Sequence, residues 1–230
     1  MITSTEINKE MKKLITIITL ILTSITANAQ EYTNQTKSIT GIFQAEGKNK
    51  DEIFENINKW IALNYNSAQD VIQMNDKDGG NIIVKGINSI TYKNNIKELY
   101  PNNKFIAETI TNKFNHTIEV NIKENKYRII YTLSDIIPPA EATQYSMEGQ
   151  FDLIFDMIDF TGVKEDKIEV YNAYLDNLLK KGLMGKKKRQ KMKDLSKPIF
   201  TDLTNSLEDN IKATMLSIKE SVSTTSTSDW

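Results

Sequence analysis

Asp152, Asp156 and Asp159 recur at the spacing that sets carboxylates on one face of a helix, opposite an apolar stripe of Phe151, Ile154, Phe155 and Ile158. Two converging carboxylates could work as a general acid and base, and three could hold a hard cation. The loop carbonyls and turn glycine common to oxygen-ligand cation sites are missing from this spacing, so a solvated helix face is the expected reading. His116 is the only histidine, which leaves no material for a multi-histidine zinc site. It stands between Asn115 and Thr117 in strand-like sequence, and an exposed or edge position is expected for it. The chain has no cysteine, hence no disulfide, thiolate nucleophile or thiolate metal site. No cofactor or metal is expected.

Lys180, Lys181, Lys186, Lys187, Lys188, Arg189, Lys191 and Lys193 form the densest charge run, broken by Gly182 and Gly185 and free of acids until Asp194. Such a run repels itself and suits a solvated connector, yet its field could also hold lipid phosphates, an acidic glycan or an acidic partner. No aromatic residue is interleaved for base stacking, and 29 basic against 30 acidic residues give a net charge of −1, so nucleic acid is not an expected partner. Asp78-Gly79-Gly80-Asn81 lacks the lysine and hydroxyl residue of a phosphate loop and reads as a turn.

The elements that would position these residues begin with Met11-Lys12-Lys13, the uncharged run Leu14 to Thr26, and Ala27-Asn28-Ala29-Gln30. Basic end, short apolar segment and small-x-small site are the parts of a secretory signal peptide, over 1–29 with Met11 as the expected start. The run is too short and too rich in hydroxyls for a membrane anchor, which needs about 20 apolar residues. Cleavage after Ala29 would deliver a chain of about 200 residues to the periplasm or the medium, with no part integral to the membrane.

From residue 30 to 137 the pattern is that of a sheet with one helix inserted. Ile39 to Ala45 suits a first strand. Asn49 with Glu52 three positions on is a capping box, and Ile53, Phe54, Ile57, Trp60 and Ile61 share one helical face that should run to about Asn66. Val71 to Met74 and Asn81 to Ile87 read as two strands around a polar turn. Ile118, Val120 and Ile122, then Tyr127, Ile129, Tyr131 and Leu133, alternate on either side of Lys123 to Lys126 as a second hairpin. Pro138-Pro139 closes the sheet region. Residues 138–220 turn helical, with further stripes at Ile168, Tyr171, Leu175 and Leu178 and at Phe200, Leu203, Leu207, Ile211 and Ile218, joined by the basic connector at 180–193. These helices are the available cover for the sheet face that the first helix leaves bare. Residues 221–230, serine- and threonine-rich, are expected to be disordered. The fold class is α+β, an antiparallel sheet in the order strand, helix, four strands, plus C-terminal helices packing on the sheet.

That order, with Lys59-Trp60-Ile61 ending the helix, Val71-Ile72-Gln73, Gly80-Asn81-Ile82-Ile83-Val84-Lys85-Gly86 and Tyr127-Arg128-Ile129-Ile130-Tyr131, resembles the exported bacterial family known as domain of unknown function 4468, with a TATA-box-binding-protein-like (TBP-like) fold. The resemblance covers about half of the chain, implies fold and export, and brings no active site; function sits in sites, not in folds. The expected function is that of an exported, non-enzymatic envelope protein acting as a binding or interaction module, which recognises an envelope partner of unknown identity, an anionic lipid or glycan among the candidates, through the exposed sheet surface or the basic run. The alternative is a carboxylate-dependent periplasmic hydrolase using residues such as Asp152 and Asp156.

Overall fold

The computed structural model describes residues 30–140, 148–180 and 185–224; the signal-peptide segment lies outside them. Helix α1 (Lys50–Asn64) starts at the capping box. The Asn49 side chain accepts from the Glu52 N–H at 2.9 Å, and the Glu52 carboxylate accepts from the Asn49 N–H at 2.8 Å. Its buried face is Ile53, Phe54, Ile57, Trp60 and Ile61, as the spacing requires.

Six strands, β1 (Glu31–Asn34), β2 (Ser38–Gln44), β3 (Ile72–Asp76), β4 (Asn81–Lys93), β5 (Thr109–Lys123) and β6 (Lys126–Ile137), stand in the order β1-β2-β6-β5-β4-β3. The pairs β2–β6, β5–β6, β4–β5 and β3–β4 are antiparallel. Asn125 closes the β5–β6 hairpin at φ 60°, in the left-handed region that asparagine tolerates. Three details differ from the sequence expectation. Val71 ends a single-turn helix, α2 (Ala68–Val71), rather than opening a strand, because Ser67 caps it by accepting the Asp70 N–H. Strand β4 runs six residues beyond Ile87, with Ile90 and Tyr92 still facing the core. β1 is an added edge strand.

After the sheet come α3 (Glu148–Met157), α4 (Glu165–Lys180), α5 (Lys186–Asp194) and α6 (Ser196–Ser223). Between β4 and β5 the chain makes a 3-10 helix at Asn95–Leu99. Along α6, Phe200, Leu203, Leu207, Ile211, Met215, Ile218 and Val222 are buried at intervals of three and four. The helix therefore reaches three residues into the segment expected to be disordered, because Val222 extends its apolar stripe.

The helices do not cover the second face of the sheet. The buried apolar strand residues share one face, among them Ile39 and Phe43, Ile82 and Val84, Ile118 and Val120, and Ile129 and Tyr131. α6 lies on that same face beside α1: the Trp60 indole N–H donates to Ser217 Oγ at 2.9 Å, and Ser221 Oγ donates to the Asn56 carbonyl at 3.2 Å. Gly41 makes room for it, since an added Cβ would stand 2.7 Å from the Phe43 ring and 3.1 Å from Met215 Sδ. The opposite face carries Thr117, Glu119 and Asn121 of β5 and Arg128 of β6, with Arg128 donating to Asn121 Oδ1 at 2.7 Å; polar side chains there need no cover.

Candidate functional site

The three aspartates do not converge. α3 stops at Met157, so Asp152 and Asp156 stay on its exposed side while Asp159 lies beyond its end and is buried. Asp159 Oδ1 accepts from the Thr161 N–H at 2.9 Å and the Thr161 hydroxyl at 2.6 Å. Burial alone would raise its pKa, but those bonds, with Lys164 and Lys167 nearby, hold the carboxyl below the usual range. It is a turn-fixing carboxylate, not one of an acid–base pair. Among the described residues no group of three His, Asp or Glu could hold a metal ion.

His116 is neither exposed nor at an edge. It lies on β5, an interior strand of the sheet, with 5% of its surface accessible. Its ring stacks on Tyr131 at 4.7 Å, and Nε2 lies 3.1 Å from the hydroxyl of Tyr65, the residue that ends α1. The contact exists because the cross-strand partner of His116 is Gly86: a Cβ there would come within 2.7 Å of the Tyr65 ring and 2.9 Å of the imidazole. Burial lowers the imidazole pKa to about 4 and pushes the Tyr65 hydroxyl up to about 12, so both are neutral near pH 7. Nδ1 has no hydrogen-bond partner, and so no carboxylate orients this imidazole as a general base. The ring lines two open pockets, one of about 640 Å³ and one of about 190 Å³. Gly86 in a strand was the sequence signal for this close approach.

The basic run divides. Lys180 ends α4, and Lys181 lies outside the described residues. Lys186, Lys187, Lys188, Arg189, Lys191 and Lys193 form most of α5, a folded helix and not an extended connector. Two tertiary contacts offset the repulsion within it. Lys193 pairs with Asp176 of α4 at 3.1 Å, and the Lys188 ammonium sits 4.2 Å above the centre of the Tyr100 ring. Lys186, Lys187, Lys188 and Lys191 remain exposed, whereas Arg189 and Lys193 are half-buried. Four ammonium groups of this helix therefore meet solvent; the acids near them are already engaged, Asp194 by Gln190 at 2.8 Å and Glu98 by Lys93 at 2.7 Å.

One helix inserted into an antiparallel sheet between β2 and the strands β3 to β6 defines a TBP-like α+β domain. Residues 40–137 match the family described as domain of unknown function (DUF4468) with TBP-like fold. Among solved structures, a TBP-like protein from Parabacteroides distasonis ATCC 8503 is similar at 19% identity and a TM-score of 0.32, over 43% of this chain and 54% of that one. The match thus spans about half the length of that protein. A DUF4468 family protein from Bacteroides ovatus ATCC 8483 is similar at 16% identity and a TM-score of 0.35, over 74% of this chain and 85% of that one. No curated protein matches. No catalytic family is indicated by these similarities. No helix of the described residues is long and apolar enough to cross a membrane.

Proposed function

We propose that the protein is an exported, non-enzymatic module of the cell envelope that binds an anionic partner through α5. The observation that carries this reading is the exposure of Lys186, Lys187, Lys188 and Lys191 on a folded helix, which concentrates positive charge on a chain whose net charge is −1. The signal-peptide pattern before Gln30 supports export. Convergent carboxylates, the feature a hydrolase would need, have no counterpart at Asp152, Asp156 and Asp159.

Retention on dextran sulfate beads tests the reading. Wild type is expected to bind at low salt and elute as ionic strength passes about 0.1 M, where exposed charges are screened over about 10 Å. A variant with Lys186, Lys187, Lys188 and Lys191 changed to serine should pass through. Equal retention of the two proteins would remove α5 as the site. Export is tested separately by intact mass of protein recovered from the envelope, which should begin at Gln30.

A further inference from the structure

Five residues after Tyr100 stands Phe105, a large apolar side chain whose whole surface meets solvent. It is not at the tip of a slack loop. The Phe105 N–H donates to Asn103 Oδ1 at 2.9 Å, and Lys97 Nζ reaches over to donate to the carbonyls of both Asn103 and Ile106 at 2.9 Å. Lys97 also pairs with Glu108 at 3.3 Å. The backbone on either side of Phe105 is thereby tied to the 3-10 helix Asn95–Leu99, and the ring is held outward instead of folding back onto the protein.

The same 3-10 helix packs against α5, and Tyr100, which ends it, carries the Lys188 ammonium on its ring. Lys104, also exposed, adjoins Phe105. The acids of this region are engaged elsewhere: Glu98 with Lys93 at 2.7 Å and Glu108 with Lys97. Through Tyr100 the structure therefore joins a basic helix to a braced aromatic side chain. An acidic glycan could answer the lysines but offers no apolar phase to Phe105. A bilayer interface of anionic lipid answers both, with phosphates for the ammonium groups and the acyl boundary for the ring.

We propose that α5 and the Tyr100–Ile106 turn together form a docking surface for an anionic phospholipid bilayer, with Phe105 entering the interface and Lys104, Lys186, Lys187, Lys188 and Lys191 engaging headgroup phosphates. This rests on the reading that α5 binds anions, and it names the partner.

The test uses the chain from Gln30 onward, because Leu14 to Thr26 is itself apolar and the compact unit with its own core begins at Tyr32. Co-sedimentation is measured with vesicles of phosphatidylcholine mixed with phosphatidylglycerol and with pure phosphatidylcholine, alongside retention on dextran sulfate. Wild type should sediment with the anionic vesicles alone. Phe105→Ser should weaken that binding about tenfold, the order expected for losing one buried aromatic side chain, and leave dextran sulfate retention unchanged. Phe105→Trp should bind vesicles at least as tightly as wild type. The quadruple lysine-to-serine variant should lose about a hundredfold or more on vesicles and be lost from the beads. Wild type held by dextran sulfate but not by anionic vesicles would overturn the lipid proposal while α5 kept its anion site, and so would a Phe105→Ser variant that binds vesicles like wild type. Binding to neither surface would overturn both.

Discussion

α5 and α6 follow one another in the chain with only Leu195 between them, yet one buries no residue and the other buries nine. α6 is held by apolar area against the sheet and α1. α5 is held at two points, a ring under one lysine and a carboxylate beside another, and leaves its remaining charges outside. Leu195 thus divides an exposed helix from a buried one, and α5 can change its surface chemistry with little effect on folding.

The largest effect should come from the α6 side of that boundary. Trp60→Ala removes a buried indole packed under α6 and leaves Ser217 without its donor, at a cost of about 3–5 kcal/mol. Urea denaturation measures it, and an unchanged midpoint would mean that α6 is not seated on this residue.

The next sharpens the contrast between a titratable group inside the core and those outside. The imidazole value of about 4 lies below the ordinary 6.5, so as the pH falls the unfolded chain takes up this proton first. The contribution of His116 to stability is complete above pH 6.5 and is lost as the pH falls toward 4, to a total of about 3 kcal/mol. His116→Gln, neutral throughout, lacks that loss, so the stability difference between wild type and variant should slope across this window. A flat difference would show that the ring is open to solvent.

The smallest effect belongs to α5 itself. Replacing Lys186, Lys187, Lys188 and Lys191 by serine should change the unfolding free energy by no more than about 0.5 kcal/mol, since only the Lys188 contact with Tyr100 is lost. A cooperative loss of several kcal/mol would place α5 inside the folding unit and erase the boundary at Leu195.

Local chemistry made much of the sheet domain legible. The Asn49 and Glu52 pair satisfies helix-end N–H groups whatever surrounds it, and the alternation from Ile118 to Leu133 can bury only one face. What stayed hidden depended on distant partners. The polar strand β1 pairs only because β2 offers an edge. The far half of β4 lay beyond the strand expected to end at Ile87 because the inward positions before Ile90 are Gly86 and Asn88, and Asn88 is accommodated only by donating to the Tyr131 hydroxyl and Asn210 Oδ1. Helix α5 defeats its own charge only through Asp176 and Tyr100. His116 looked like an exposed strand residue because nothing near it in sequence announces that Tyr65 will close over Gly86.

The seat of α6 across Gly41 also has a consequence in time. Ser217 and Trp60 are 157 residues apart along the chain, and Ser221 and Asn56 are 165 apart. Contacts of that separation raise contact order and slow the search for the native state, because the entropy of closing so long a loop is spent before the contact rewards it. A ribosome-bound chain that has not yet released α6 presents a sheet whose apolar face is only partly covered, by α1. Such a chain remains pliable until synthesis of α6 is complete.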